Sequence, residues 1–223
     1  MAKKYAFLVD LRRCVGCNSC QVSCKMENGV PVGKFRTRFG TGEVGSFPNA
    51  KRYMLPFFCN HCEKPSCIVK CPVPGATYRK EDGTVVVDRE LCIGCGKCVD
   101  DCPYGARFMH PHIPIKNDPK PFLAKVPELK NQAMASLRVA DKCDWCEDRR
   151  AQGFADPACV SNCFGKALVF GDRNDPDSRV AKLIAAEKTV VLFPDLGTKP
   201  QVLYIAPDPA AFKAADIQIN EEL

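Results

Sequence analysis

The cysteines constrain the fold of this chain more than any other feature, because all 16 fall in four groups of four. The third group runs from Cys92 to Cys102 with the spacing C-x2-C-x2-C-x3-C and is followed by Pro103. In this bacterial ferredoxin spacing, three thiolates bind one iron–sulfur cube and the fourth cysteine reaches a neighbouring cube. The spacing therefore predicts a chain that folds around iron–sulfur clusters.

Two other uses of cysteine fit the pattern less well. A structural zinc site needs two ligand pairs that close a tetrahedron, whereas the third group places four cysteines within eleven residues. A disulfide scaffold is typical of a short secreted chain. The first ten residues, a short apolar run that ends at Asp10, do not resemble a secretory signal peptide. We therefore expect metal capture rather than cross-linking.

The composition argues against a membrane-spanning protein and against a nucleic-acid-binding protein. No stretch approaches the roughly 18 apolar residues of a membrane-spanning helix. The formal charge is +6, but thiolates on four cubes of about +2 each would leave a net charge of about −2. The basic residues are therefore expected to compensate buried anionic clusters, and no basic stripe interleaved with exposed aromatic residues indicates nucleic-acid binding.

The other three cysteine groups vary the ferredoxin spacing. The first group keeps it, with Lys25 in place of the proline. The second has four residues between its middle cysteines and ends before Pro72, and the fourth is split by twelve residues and ends before Phe164. The members are Cys14, Cys17, Cys20 and Cys24 in the first group, Cys59, Cys62, Cys67 and Cys71 in the second, and Cys143, Cys146, Cys159 and Cys163 in the fourth.

The fourth cysteine of each run is expected to cross to the neighbouring cube. Residues 77–79 and 84–88, which flank an Asp-Gly turn, predict a hairpin that joins the second and third groups, so these two groups should pair. The first and fourth groups then pair by count and symmetry. The predicted ligand sets are Cys14, Cys17, Cys20 and Cys163 for cluster 1, Cys24, Cys143, Cys146 and Cys159 for cluster 2, Cys59, Cys62, Cys67 and Cys102 for cluster 3, and Cys71, Cys92, Cys95 and Cys98 for cluster 4.

The remaining pattern predicts short elements between these groups. A short helix is expected after Cys17, ending at Glu27. A second helix is expected to begin with Asp175 as its N-cap and Pro176 in its first position. Extended apolar runs predict strands at residues 4–10, 51–58, 166–170, 189–193 and 201–205.

Several side chains near the cysteines have open interpretations. The glycine-rich residues 28–50 are predicted to form an irregular surface loop, in which Arg36 and Arg38 are solvated or face a partner. His61 is expected to pack in the core, although it would also be placed to tune a cluster by a hydrogen bond or to carry protons. Trp145 is expected to pack in the core and to shield a cube from water.

Further motifs surround the cysteines, and together they cover residues 4–205. They are Phe47-Pro48, Leu55-Pro56, Cys59-Asn-His-Cys62, Pro65, Asp82-Gly83, Cys92-Ile-Gly-Cys95, Cys102-Pro-Tyr-Gly-Ala-Arg107, Lys142-Cys143 and Pro157-Ala-Cys159. With them the chain resembles the electron-transfer subunits of the dimethyl-sulfoxide reductase family of molybdenum or tungsten enzymes, which includes polysulfide, thiosulfate, tetrathionate and arsenate reductases.

The resemblance implies four [4Fe-4S] clusters, and the ligand pairing of the family agrees with the one given above. It implies a large catalytic subunit with a Mo/W-bis-pterin guanine dinucleotide cofactor, lying nearer to clusters 1 and 2. It also implies a quinone-reactive membrane anchor subunit or a cytochrome as the second partner, within an anaerobic respiratory oxidoreductase. This chain would relay electrons and carry out no substrate chemistry.

Location is also implied by the resemblance. In many such complexes the large subunit bears a twin-arginine leader and takes its partner across the membrane. The expected location is therefore the periplasmic face of the cytoplasmic membrane, and without such co-export the chain would be cytoplasmic.

The predicted fold class is α+β, with two ferredoxin-like modules of βαβ type related by a pseudo-twofold axis, rich in loops and organised by the clusters. Residues 1–58 together with residues 141–205 would hold clusters 1 and 2, and residues 59–110 would hold clusters 3 and 4. Residues 111–140 are predicted to be a proline-rich insertion, either a docking arm or a solvated linker. Residues 206–223 are predicted to be a C-terminal tail, either frayed or bound to a partner.

Three rival functions are set against an electron-transfer subunit. A free-standing polyferredoxin shuttle would need little beyond its clusters, so the insertion and the tail favour a docked subunit. An enzyme that uses a cube as a Lewis acid would need a missing cysteine ligand, and none is missing. A zinc-binding structural protein would contain no iron. Since each cluster bonds four chain positions, we also expect the cluster-free chain to be largely unfolded.

Overall fold

A computed structural model describes residues 2–110, 138–207 and 218–219 of the chain. Its strands are β1 (Tyr5–Asp10), β2 (Arg38–Val44), β3 (Lys51–Phe57), β4 (Thr77–Arg79), β5 (Val85–Val87), β6 (Arg107–Met109), β7 (Ala140–Lys142), β8 (Leu168–Asp172), β9 (Val202–Ile205) and β10 (Gln218–Ile219). Its helices are α1 (Ser19–Glu27), α2 (Ser66–Val69), α3 (Lys97–Asp100), α4 (Glu147–Ala151), α5 (Ala158–Ser161) and α6 (Arg179–Ala186). Most of the predicted insertion and most of the predicted tail lie outside the described residues.

The first sheet has β1 in the middle, antiparallel to β8 and parallel to β9. Its central strand is buried on both faces, because Phe7 and Val9 enter the main core while Ala6 and Leu8 face a smaller apolar cluster. The strands predicted at residues 4–10, 166–170 and 201–205 are confirmed. This sheet anchors the chain immediately before the first cysteine group and immediately after the fourth.

The strand predicted at residues 189–193 is wrong. Within this stretch Val190 forms an isolated bridge with Tyr204. Phe193 then adopts a left-handed backbone conformation (φ 48°) ahead of a 3₁₀ turn at Pro194–Leu196. The turn ends the extended run before a ladder can form.

The prediction of an irregular loop over residues 28–50 is also wrong, because this stretch contains β2. That strand pairs antiparallel with β3, which was predicted, and β10 pairs with its other edge. The glycines of this stretch are typical of loops, so the sequence pattern did not predict a strand. One of these glycines has a packing role. Gly42 lies opposite Tyr53, and a Cβ on Gly42 would come within 2.3 Å of the Tyr53 ring. The glycine therefore leaves room for the tyrosine to cover the strand.

The helix predicted after the fourth cysteine group begins three residues later than expected. Asp175 forms a turn, in which its carboxylate accepts a hydrogen bond from the Asp177 N–H. The N-cap of α6 is Ser178, whose hydroxyl accepts a hydrogen bond from the Ala181 N–H at 3.1 Å. Val180, fully buried, packs this helix on the outer face of the first sheet.

Two pairs of short antiparallel strands complete the described sheets. Strands β4 and β5 pair antiparallel, which confirms the hairpin predicted between the second and third cysteine groups. Strands β6 and β7 also pair antiparallel, and they bring the end of the third group next to the start of the fourth. Small mixed sheets with a few short helices make this an α+β fold.

Candidate iron–sulfur centres

All sixteen cysteines lie within the described residues, and none of them forms a disulfide bond. Each predicted cysteine loop leads into one of the short helices α1, α2, α3 or α5. The loops depend on glycine at points of close approach. Gly94, with φ of +69°, would place a Cβ within 1.9 Å of the Arg138 carbonyl oxygen, and Gly165 would place one within 2.2 Å of the Arg13 carbonyl oxygen. No other residue type would allow the backbone to close around the cysteines at these points.

The first and fourth cysteine groups meet where α1 packs against α5. The Ser19 hydroxyl donates a hydrogen bond to the Asn162 carbonyl at 2.8 Å and ties the two helices together. Burial raises the pKa of Cys20 to about 12, and three neighbouring thiols add to the shift, namely Cys14, Cys163 and Cys17. The structure therefore brings together the four cysteines predicted for cluster 1.

A second set of thiols from the same two groups is more deeply buried. Burial raises the pKa of Cys159 well above its usual range, and the nearby thiols of Cys24, Cys146 and Cys143 raise it further. All four of these cysteines are buried. They are the four that were predicted for cluster 2.

The second and third groups line two cavities. One cavity is bordered by Cys59, Cys62, Cys67 and Cys102, and the other by Cys71, Cys92, Cys95 and Cys98. Burial raises the pKa of Cys62 to about 12, with contributions from the other thiols around its cavity. These are the two sets of cysteines that were predicted as ligands of clusters 3 and 4, and that ligation stays a prediction.

The thiol sets can be compared with the needs of an iron–sulfur cube. Among the residues that the structure describes, no three Cys, His, Asp or Glu side chains converge closely enough to hold a single metal ion. Four thiols around a cavity instead offer one ligand to each iron of a cube. Because the buried thiols have raised pKa values, binding of iron must displace their protons.

Arg36 is buried, so the prediction that it is solvated is wrong. Its guanidinium donates two hydrogen bonds to the carboxylate of Asp141, at 2.8 and 3.0 Å. It also donates to Asp144 at 2.9 Å and to the side-chain oxygen of Asn28 at 2.8 Å. The Asn28 amide nitrogen in turn lies 3.7 Å from the Cys24 sulfur and 3.6 Å from the Cys146 sulfur. An ion-pair network therefore supports the side chain that approaches the second thiol set.

Arg38 is half-buried rather than fully solvated. Its guanidinium lies 4.7 Å from the centre of the Phe57 ring and donates to the Tyr104 carbonyl at 2.9 Å. Arg38 begins strand β2 and Arg36 lies two residues before it, so the start of this strand places both arginines near other cysteine loops, which the prediction of a surface loop could not anticipate.

Two buried cations near the thiols were not recognised from the sequence. Arg107 on β6 is 4% exposed and donates a hydrogen bond to the Cys67 sulfur at 3.1 Å. Lys142, its cross-strand neighbour on β7, is 2% exposed and donates to the carbonyls of Val85 and Cys143. Both residues stand in sequence motifs next to cysteines, Arg107 after Cys102 and Lys142 before Cys143. That position was the one sequence signal that could have marked them as neighbours of the thiols.

His61 and Trp145 form a stacked pair between cysteine loops. Both are fully buried, and their ring centres lie 3.8 Å apart. The His61 Nδ1 accepts a hydrogen bond from the Val85 N–H at 2.9 Å, which confirms the packing role predicted for this histidine. The core role of Trp145 is likewise confirmed. His61 lies between Cys59 and Cys62 of the third thiol set, and Trp145 lies between Cys143 and Cys146 of the second. The stacked pair therefore connects the loops of these two sets.

The fold and the thiol sets define an α+β, ferredoxin-like iron–sulfur protein. A family model described as "4Fe-4S dicluster domain" matches residues 50–118. The sequence is 41% identical to the B subunit of tetrathionate reductase from Salmonella typhimurium, covering 93% of this chain and 74% of that protein. It is 39% identical to the B subunit of selenate reductase from Mesobacillus selenatarsenatis, over 91% and 72%, and 35% identical to the B component of polysulfide reductase from Wolinella succinogenes, over 93% and 96%.

The chain belongs to the family that these iron–sulfur components of reductases form. It is therefore an electron-transfer subunit of an oxidoreductase, and this subunit carries [4Fe-4S] clusters. Within the described part of the chain, no helix has the length and apolar character required to cross a membrane.

Proposed function

We propose that this subunit carries four [4Fe-4S] clusters held by all sixteen cysteines, in the four ligand sets given above. The observation that carries the proposal is the gathering of the thiols. Each set contains cysteines from two groups, and the thiols that contribute most to the raised pKa values of Cys20, Cys62 and Cys159 belong to the same set as the thiol they affect. Cys20 of cluster 1 contributes less to the pKa of Cys159 than the three thiols of its own set. In cluster 4, the thiols of Cys92 and Cys71 add to the effect of burial in raising the pKa of Cys98.

Clusters 1 and 4 are proposed as the two ends of the electron path. The two exposed cysteines are Cys17, of cluster 1, and Cys95, of cluster 4, whereas all four ligands of cluster 2 are buried. Large apolar side chains are exposed beside both ends, with Phe164 79% exposed next to Cys163 and Ile93 68% exposed next to Cys92. Exposed apolar groups of this kind suit contact with partner subunits.

The partner at one end is proposed to be a catalytic subunit with a Mo/W-bis-pterin guanine dinucleotide cofactor. The partner at the other end is proposed to be a quinone-reactive membrane subunit or a cytochrome. Relatives whose names mark them as one component of a reductase support a place in a larger complex. We further propose that the complex acts at the periplasmic face of the cytoplasmic membrane, and that electrons pass through this chain without substrate chemistry on it.

Two ferredoxin-like modules are proposed within the α+β fold. Residues 1–58 with 141–205 would hold clusters 1 and 2, and residues 59–110 would hold clusters 3 and 4. The parallel pairing of β1 with β9 and the hairpin of β4 with β5 support this division. The main apolar core continues across it, since Phe7, Tyr104 and Trp145 belong to one cluster of buried side chains. The modules would therefore share a packed junction.

Anaerobic purification of the affinity-tagged chain from its native membranes tests this function. The expected result is co-elution with a large subunit that contains pterin and molybdenum or tungsten. The iron expected on the small chain is four atoms for each of the four cubes. A small iron-loaded monomer with no pterin-containing partner would instead support the free-standing polyferredoxin shuttle.

A further inference from the structure

A single buried guanidinium lies between two of the thiol sets. Arg107 projects from β6, where it pairs across the strands with Lys142. One of its nitrogens, Nη2, donates a hydrogen bond to the Cys67 sulfur at 3.1 Å, and another, Nη1, donates to the Thr77 hydroxyl at 3.4 Å. The side chain lines the cavity of the third thiol set. Its position is therefore fixed from two sides.

Strand β6 also packs against α3, the helix that contains Cys98 of the fourth set. Burial raises the pKa of Cys98, and the charge of Arg107 together with a hydrogen bond from it opposes that rise. Burial disfavours the charge of Arg107, but the thiols of Cys67, Cys59 and Cys98 outweigh this and raise its pKa above the ordinary value. Arg107 thus donates a hydrogen bond to Cys67 of the third set, and its strand packs against the helix that carries Cys98 of the fourth.

We propose that Arg107 sets the reduction potentials of clusters 3 and 4 together, with one fixed positive charge near both clusters and an N–H donor on Cys67, a ligand of cluster 3. This inference rests on the ligand sets of the proposed function. Reduction adds a negative charge to a cube, so a nearby cation and hydrogen bonds to the ligand sulfurs favour the reduced form. Arginine suits this task because it does not lose its proton in proteins and carries several donors in a rigid fork.

Burial makes the effect local. Exposed charges are screened by salt over roughly 10 Å at 0.1 M ionic strength, whereas buried charges are screened much less. At 4% exposure, the charge of Arg107 is little screened by solvent. The hydrogen bond, the cavity lining and the packing that place Arg107 involve the third and fourth sets. The potentials of clusters 1 and 2 should therefore respond little to its removal.

The test is a potentiometric titration of the intact complex, followed by electron paramagnetic resonance, for wild type, Arg107→Gln and Arg107→Lys. Arg107→Gln removes the positive charge and the guanidinium that donates a hydrogen bond to the Cys67 sulfur. Two of the four midpoint potentials should become more negative, each by about 59 mV, which corresponds to a tenfold change for a one-electron couple. Arg107→Lys keeps the charge but offers one ammonium in place of the fork, so one of the two potentials should return toward the wild-type value.

Arg150→Gln is the matched control. It removes the same charge from a partly buried arginine that donates to the Trp145 carbonyl at 3.0 Å and lies over the Tyr5 ring. Arg150 lies near the loop of cluster 2, so its shifts are compared at clusters 3 and 4, where they measure the loss of a charge whose contacts are with Trp145, Tyr5 and Phe170. The inference is overturned if Arg107→Gln, with iron content at the wild-type level, moves no potential further than Arg150→Gln does. If Arg107→Gln loses iron, the comparison is made with Arg107→Lys, and unchanged potentials in that variant overturn the inference.

Two cysteine variants separate this inference from the proposed function. Cys67→Ser and Cys98→Ser should each abolish or convert a different cluster, because the two residues belong to different sets. If both variants affect the same cluster, the proposed ligand sets are wrong. If they affect different clusters and the Arg107 variants shift nothing, the sets stand and the role of Arg107 is wrong.

Discussion

Replacing Arg36 with methionine should cost more stability than any exposed ion pair of the protein could supply. The Arg36 side chain is 1% exposed and holds Asp141 with two hydrogen bonds, at 2.8 and 3.0 Å. Removal of one partner from a buried ion pair typically costs about 3–5 kcal/mol, since the other charge stays buried and loses its main partner. Among the described residues, Asp141 would keep only the longer contacts with Arg89 at 3.3 Å and His110 at 3.2 Å. For a protein of this size about 2–4 °C of Tm is lost per kcal/mol, so Tm should fall by about 6–20 °C.

The pH of the assay can be chosen from the same contacts. Burial opposes ionisation of Asp141, but the charge of Arg36 outweighs it and holds the pKa of that carboxyl well below its usual range. The stability gained from a lowered carboxyl pKa is fully present above the unfolded value of about 3.9 and is lost as the pH falls below it. Measurements at pH 7 to 8 therefore report the full contribution of the pair.

Anaerobic thermal melts of the cluster-loaded protein, followed by visible absorbance and by circular dichroism, provide the measurement. Lys182→Met is the control, because its ion pair with Asp177 at 3.3 Å is largely exposed and such pairs contribute little. A double variant with Asp141→Asn should lose less than the sum of the two single losses, since the second change removes the carboxylate charge that lost its main partner. An Arg36→Met variant with the same Tm as the Lys182→Met control would refute the reasoning.

Three further outcomes are expected. Trp145→Ala should lower stability by about 3–5 kcal/mol, because the ring is fully buried against His61, and a melt within the error of wild type would contradict this. A chelator should remove iron faster at pH 6.5 than at pH 8.5, since the pKa of Cys20 is raised to about 12 and protons compete with iron for such a thiol; equal rates would argue against buried thiolate ligands. The chain freed of clusters should lose most of its native circular dichroism, and a full native spectrum without iron would rule out clusters as the source of its stability.

Local patterns predicted the parts of the fold that depend on neighbouring residues. The ferredoxin spacing predicted loops that gather cysteines. The apolar run before Cys14 predicted β1, and the Asp-Gly turn predicted the hairpin of β4 and β5. Each of these signals lies within a few residues of the element that it predicts. The sets of thiols followed from the same spacing combined with the exchange rule for paired clusters.

Long-range contacts account for most of what the sequence did not reveal. Arg36 looks like a surface residue in a glycine-rich stretch, but its partner Asp141 lies 105 positions away in the chain. Strand β2 was missed because Gly42 reads as a loop residue, although its missing side chain is what admits Tyr53. The contact of Arg107 with Cys67 crosses 40 positions, so spacing alone could not assign it a role.

Quantification of iron, acid-labile sulfide and zinc in the anaerobically purified chain tests the central claim most directly. With Mössbauer spectroscopy to identify the iron, the account predicts about sixteen irons and sixteen sulfides per chain, all in [4Fe-4S] clusters, to match its 16 cysteines. Stoichiometric zinc, or disulfide bonds between the cysteines of the proposed sets, would contradict it.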